Sequence, residues 1–482
     1  MKKATTLGEL KATGYEYKSI KDELRSNLIR SIEAGEDPFA GVVGYHETVI
    51  PQLERAILAK HNLSLLGLRG QAKTTIARMM IRLLDEYIPA IEGTELNEDP
   101  LQPITKEAKR LIKEKGNDTP IHWIHRSERY TEKLATPDVS VADLIGDLDP
   151  IKAANLKLSF SDEGAIHYGL VPHSNRGIFV INELPDLQPR IQVALFNILQ
   201  EGDIQIRGFK VRLPLDIQFV FTSNPEDYTN RGSIITPLKD RIQSQIITHY
   251  PMSIEDSRVI TRQEARIEAV QREKIEVRPL LDDLIEELSF VARESDLIDQ
   301  KSGVSVRLSI TAFENVIATA ELRALRNQEK HTVVRISDLM GAIPAITGKV
   351  ELVYEGEQEG ALQVAHQIIR QTIRKEFLKH FPNPERLSKR SEGSPYDVIV
   401  DWFSDHAIDI DNDASDAQYR KSLSRITPLI AFIEEFMPEL EEVDVCLMAE
   451  FVLHALAEYS LISKKSYHGR VNFNDMLGSM LS

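Results

Sequence analysis

The segment SLLGLRGQAKTTIARM, Ser64 to Met79, constrains this chain more than any other stretch of it. Gly67, four intervening residues, then Ala72, Lys73 and Thr74 nearly reproduce the G-x-x-x-x-G-K-[ST] phosphate loop. The apolar run Leu63 to Leu66 precedes it and the helical pattern Thr75 to Leu84 follows, so the sequence predicts a strand, a small-residue turn and a helix. In that arrangement Gly67, Gly70, Gln71, Ala72 and Thr75 contribute backbone around phosphate oxygens, Lys73 neutralises the outer phosphates, and the Thr74 hydroxyl can ligate Mg²⁺. Ala72 stands where glycine is usual. A methyl there is expected only if the residue holds φ < 0.

At 482 residues the chain is too long for one core and predicts about three domains. The helix predicted at Ser19 to Ala34, with Leu24, Leu28 and Ile32 at helical spacing, belongs to an N-terminal extension, residues 1–40. Strands are predicted at Leu63 to Leu66, Ile121 to Ile124, Ile178 to Ile181, Ile217 to Thr222 and Gln245 to His249, separated by helical stretches. That alternation predicts an α/β nucleotide-binding domain, residues 41–251, with a parallel sheet sandwiched by helices. Within it, Glu86 to Thr119 reads as an insertion with a charged helix near Lys106 to Lys115. Helices dominate afterwards, predicting an all-α lid at 252–350, a linker at Glu351 to Gly360, and an α-helical C-terminal domain at 360–482.

In RGIFVINELPDL a buried strand delivers Asn182 and Glu183 at its carboxyl end, where open α/β sheets bind ligands. Phosphate-loop ATPases normally carry an Asp there for Mg²⁺ and, in many, a Glu after it that orients the attacking water. Asn182 retains an amide oxygen that can accept from a metal-bound water but brings no charge, whereas Glu183 remains available as general base. The strand IQFVFTS then presents Asn224, and TPLKDRI ends a helical segment with Arg241. Read alone, Asn224 is equally a strand cap and Arg241 a surface ion pair; read in order, they are a water-positioning amide and an arginine reaching a neighbouring subunit's nucleotide.

From Val42 to Gly348 the chain resembles the AAA+ ATPases, and within them the clade of MoxR proteins and the ATPase subunit of magnesium chelatase. VVGYHETVIPQLERAI resembles the segment that helps enclose adenine, which places Val43 and Gly44 at the nucleotide. DLIGDLDPIKAANLKLSFSDEGAIHYGLVPHSNRGIFVINE resembles the helix-2 insert region, and GDIQIRGFKVRLPLDIQFVFTSNPEDY the pre-sensor hairpin with its sensor strand. The resemblance implies ATP with Mg²⁺, a homo-oligomeric ring, a hexamer by family expectation, and Asn224 as sensor 1. It also implies Arg241 as arginine finger and Arg307, in SGVSVRLSITAFENVIATAE, as sensor 2.

The net charge of −16 opposes a nucleic-acid surface. Cys446 is the only cysteine, which rules out an internal disulfide or a thiolate metal cluster. The charged N-terminus lacks an apolar leader and no run nears the ~18 apolar residues of a membrane span, so a cytoplasmic chain is expected. Gln205, Arg207, Lys210 and Arg212 interleave with apolar residues around Gly208 as in a hairpin with one apolar face. His122 and His125 fall in a strand, where three-residue spacing turns them to opposite faces. Asp409, Asp411 and Asp413 begin like a calcium loop, but Ala414 and Arg420 occupy the glycine and glutamate positions, leaving an acidic helix–helix loop.

Three functions follow. The first is a ring-forming ATPase that remodels a protein partner, which the MoxR likeness suggests carries a von Willebrand factor A domain. The second is a magnesium-chelatase motor, disfavoured by the terminal extensions. The third is a nucleotide sensor with weak turnover, motivated by Asn182.

Overall fold

Five strands, of which the two central ones are buried on both faces, form the centre of the first half of the chain, as a parallel sheet covered on both sides requires. They are β1 (Leu63–Leu66), β2 (Tyr130–Leu134), β3 (Gly177–Asn182), β4 (Ile217–Ser223) and β5 (Ser244–Ile247). All pair in parallel, in the order β5-β1-β4-β3-β2. The structure is a computed structural model and describes residues 3–159, 162–206, 212–225, 233–387, 393–467 and 469–476. The chain divides into two compact units, Met1–His249 and Tyr250–Ser482.

The two-residue alternation of the strands sorts their side chains into two layers. Leu63, Leu65, Ile178, Val180, Val220 and Ile246 face a core shared with Leu24, Leu28, Leu53, Ile76 and Ala77. Phe179, Ile181, Phe219 and Phe221 face the opposite core with Ile191, Leu195 and Ile198. Phe219 stacks on Phe221 and meets Phe179 edge-on, both with centroids 5.9 Å apart. Helix Ile20–Glu33 begins where Ser19 accepts from the Asp22 N–H, and its buried Glu23 takes a two-pronged bond from Arg129, at 2.7 and 2.6 Å. The predicted N-terminal extension is therefore bound into this unit, with Tyr17 and the Ile20 N–H both donating to Asp216.

Two expectations about strands are corrected. Ile121–His125 is a strand but lies outside the main sheet, pairing antiparallel with Tyr87–Ile91. The place expected for it is taken by β2, whose sequence YTEKL is too polar to stand out as a buried run. It is an edge strand, and edges carry polar and charged residues. The insertion helix Lys106–Lys115 forms as predicted, with Thr105 capping it. The stem of the predicted hairpin, Asp203–Gln205 against Arg212–Pro214, is antiparallel, while Arg207, Gly208 and Lys210 lie outside the described residues.

The second unit is helical as expected, with two additions, the first a short parallel pair of Ile275–Glu276 with Thr332–Val333. A three-stranded antiparallel sheet joins Ile408–Asp411, Arg470–Asn474 and Ser463–Tyr467, so Asp409 and Asp411 sit in a strand and not in a helix–helix loop. Its core is continuous from Leu281 and Leu308 through Ile369 to Phe451 and Phe473. Within the segment read as a linker, Tyr354–Glu359 is helical and the Val353 N–H donates to the Leu297 carbonyl. The buried Arg323 and Arg335 both bond Asp416, and Arg335 lies over the Tyr419 ring at 4.2 Å. Buried Glu450 accepts from the Ile336 and Ser337 N–H groups and from the Tyr419 hydroxyl.

Candidate nucleotide site at the carboxyl edge of the sheet

Register decides what meets at the sheet's carboxyl edge. Leu66 lies opposite Ser223 on one side and Ile247 on the other, and Asn182 lies opposite Leu134. The loop after β1, Asn224 after β4 and the Asn182–Glu183 pair therefore emerge side by side.

The loop is built tightly. The Gly67 N–H donates to the Ser223 carbonyl at 3.1 Å. A Cβ on Gly67 would stand 1.9 Å from Thr248 Oγ1 and 2.2 Å from Gln71 Oε1, so this position admits only glycine. Thr248 Oγ1 donates to Gln71 Oε1 at 2.8 Å, closing the loop from the far side of β1. Gly70 takes φ of 75°. Lys73, 8% exposed, turns its ammonium back onto the loop, donating to the Gly67 carbonyl and to the Leu68 carbonyl at 2.9 Å. Thr74 is half-buried and Thr75 exposed on the first turn of helix Lys73–Met79.

Ala72 contradicts the expected φ < 0. It sits at φ 52°, ψ 15°, the left-handed conformation, immediately before the helix. An L-residue pays about 1–2 kcal/mol to sit there. Replacement by glycine removes that cost, less the ~0.4–1 kcal/mol by which glycine favours the unfolded chain. Ala72→Gly is therefore expected to stabilise the protein by about 0.5–1 kcal/mol in urea unfolding; destabilisation would show that the packing of the Ala72 methyl outweighs the backbone relief.

Val43 and Gly44, the latter at φ 77°, precede helix Val49–Leu58. Their neighbour Tyr45 is buried and ties this segment to the loop: its hydroxyl lies 2.6 Å from the His249 carbonyl oxygen and 3.1 Å from that of Gln71. The rings of Tyr45 and His249 meet edge-on at 4.9 Å, and His249 Nε2 pairs with Thr48 Oγ1 at 2.7 Å.

At the β3 end, Asn182 is 8% exposed and both ends of its amide are engaged. Nδ2 donates to Glu132 Oε1 at 2.6 Å, and Oδ1 accepts from the Thr222 hydroxyl at 2.9 Å. A carboxylate only accepts, so the amide nitrogen must face Glu132. The Asn182 oxygen, expected to accept from a metal-bound water, accepts from Thr222 and keeps its second lone pair. Thr222 Oγ1 in turn accepts from the Glu183 N–H at 3.3 Å. Glu183 holds φ 53°, ψ 51°, a left-handed turn that directs the chain sharply off the strand. Backbone strain of this kind costs about 1–3 kcal/mol and gathers at functional sites.

Asn224, 1% exposed, follows β4 directly. Arg241 ends helix Thr236–Arg241. Its Nε and Nη2 donate to Gln200 Oε1 at 3.0 and 2.8 Å, its Nη1 to the Pro237 carbonyl at 2.7 Å, and its guanidinium lies 4.8 Å from the Phe196 centroid. Arg307 is exposed and opens helix Arg307–Arg326 of the second unit. Sequence reasoning missed Tyr45, Glu132, Thr222 and Thr248. Thr222 was visible in IQFVFTS as the polar residue two before Asn224, whereas Glu132 gave no signal while its strand went unrecognised. Among the described residues no cluster of three or more His, Cys, Asp or Glu could hold a metal alone.

Residues 155–247 match the family model of the Sigma-54 interaction domain. A candidate ATPase from Cytophaga hutchinsonii is similar to 75% of this chain over 98% of its own, at 18% identity and TM-score 0.30. A structure of the complex between magnesium chelatase subunits BchI and BchD is similar over 67% of this chain and 98% of that one, at 21% identity and TM-score 0.34. NtrX from Brucella abortus is similar over 72% of each chain, at 13% identity and TM-score 0.34. Comparison with curated proteins found no significant match. The parallel five-stranded sheet with flanking helices and a helical C-terminal region is consistent with an α/β AAA+ fold, and the family match supports an AAA+ domain over residues 155–247. No helix among the described residues is long and apolar enough to cross a membrane.

Proposed function

We propose that this chain binds Mg·ATP at the carboxyl edge of the sheet and hydrolyses it within a homo-oligomeric ring, coupling turnover to remodelling of a protein partner. The observation that carries the reading is the meeting of the Lys73 loop with the Asn182–Glu183 strand end on one edge. Phosphate oxygens would replace the loop carbonyls as acceptors for Lys73, and Val43 and Gly44 would lie along the base through Tyr45. The donors near the phosphates are all oxygen: the Thr74 hydroxyl, the Asn182 amide and the carboxylates of Glu132 and Glu183. That set suits Mg²⁺, which takes few protein ligands and shares substrate phosphates. Bound Mg²⁺ would neutralise charge on the transferred phosphoryl group. Asn224 and Glu183 would position and activate water, Arg241 would reach a neighbour's nucleotide, and Arg307 would serve as sensor 2.

The client inferred from the MoxR likeness carries a von Willebrand factor A domain. The net charge of −16 supports a protein client over nucleic acid. Asn182 motivates the alternative of a nucleotide sensor with weak turnover. Titration with a fluorescent ATP analogue, alongside phosphate release, tests the reading. Lys73→Ala is expected to weaken binding about 10- to 100-fold, as loss of hydrogen bonds from a charged donor does, and phosphate release falls with it. Equal binding by the natural protein and Lys73→Ala would remove the site. Tight Lys73-dependent binding without phosphate release would favour the sensor.

A further inference from the structure

Asn182 leaves the β3 end without the negative charge expected there, but the next strand supplies one. Glu132 lies opposite Val180 in the β2–β3 register, and Val180 shares its core with Ile76 and Ala77 of the phosphate-loop helix. Glu132, Val180 and Asn182 therefore line the face of the sheet that carries that helix. The Glu132 carboxylate bonds the Asn182 amide at 2.6 Å through Oε1. Its Oε2 accepts from Arg78 Nε at 3.0 Å and from the Tyr130 hydroxyl at 3.2 Å.

The Arg78 pair does not by itself account for a carboxylate here. The Arg78 side chain is 62% exposed, and such pairs contribute about 0–1 kcal/mol. Glu132, by contrast, is 23% exposed and sits one hydrogen bond from the position a metal-binding aspartate would hold. We propose that Glu132 is the carboxylate that retains the nucleotide's Mg²⁺ in this chain, with charge and amide exchanged between neighbouring strands. Asn182 is then a positioning residue, anchored by Thr222 and aiming the Glu132 carboxylate. The inference rests on the nucleotide-binding reading above.

The exchange makes a charge-counting prediction. The natural pair carries one negative charge, as does Glu132→Gln combined with Asn182→Asp. Glu132→Gln alone carries none. The probe is a fluorescent ADP analogue titrated with Mg²⁺, and the readout is the Mg²⁺ concentration at half-maximal response, with binding in EDTA as reference. Glu132→Gln is expected to raise that concentration about tenfold, and adding Asn182→Asp to restore it to within about threefold of the natural value, since groups next to metal ligands typically contribute 10- to 100-fold. Binding in EDTA stays unchanged throughout. The double variant keeps a donor facing an acceptor, so it folds even if Glu132→Gln alone is destabilised, and a natural-like Mg²⁺ response from it supports the exchange.

An unchanged Mg²⁺ response in Glu132→Gln overturns the proposal and leaves nucleotide binding standing. So does an Arg78→Gln variant that reproduces the Glu132→Gln shift, because the carboxylate would then act only as an ion-pair partner. Absence of Lys73-dependent nucleotide binding in the natural protein overturns the underlying reading instead.

Discussion

Glu183→Gln is expected to slow ATP hydrolysis about 10²- to 10⁴-fold while nucleotide stays bound, the range that a positioned general base contributes. The backbone prepares this residue for the part. A fully buried strand brings it to the phosphate-loop edge, the Thr222 hydroxyl holds its N–H, and a left-handed turn sets where its side chain departs. Glutamine keeps the shape and the strained backbone but cannot take up a proton, so the loss falls on turnover and not on binding. The variant should retain ATP, accumulate assembled rings in its presence and hold the client long enough for capture. A variant as labile in ATP as Lys73→Ala would contradict the role given to Glu183, and a captured set lacking any von Willebrand factor A domain protein would remove that client.

What sequence alone reveals here is local. Ser64 to Met79 specifies strand, turn and helix within one short stretch, and each piece forms. The same stretch concealed the conformation of Ala72, because a left-handed residue is dictated by the loop's closure through Gln71 and Thr248, which stand 177 residues apart in the chain. Periodicity found the strand at Ile121 but not its partner, since an apolar pattern states that a face is buried without stating against what. It passed over Tyr130–Leu134 for the opposite reason: a polar edge strand is held by backbone pairing with β3, which leaves no mark in composition. That omission hid Glu132 as well. Asn182 therefore read as a simple loss of charge, when the structure shows an amide between a carboxylate and a hydroxyl.

Arg241→Ala is expected to lower hydrolysis about 10³- to 10⁵-fold, the contribution an arginine supplied to a neighbouring nucleotide makes. In sequence this residue was equally a surface ion pair, and the structure bears on that alternative. Among the described residues its partners are the Gln200 amide, the Pro237 carbonyl and the Phe196 ring, none of them an anion. A half-buried guanidinium braced only by neutral groups has no carboxylate to leave when it reaches a phosphate. The test that isolates action in trans is mixing. Arg241→Ala protomers keep Glu183 and Glu183→Gln protomers keep Arg241, so a ring assembled from both contains some interfaces with the two groups intact. Activity in the mixture above that of either variant alone is the expected result, while each protomer separately still binds nucleotide. If the mixture stays at the average of its inactive parts, or if Arg241→Ala turns over at the natural rate, the arginine does not complete a neighbour's site.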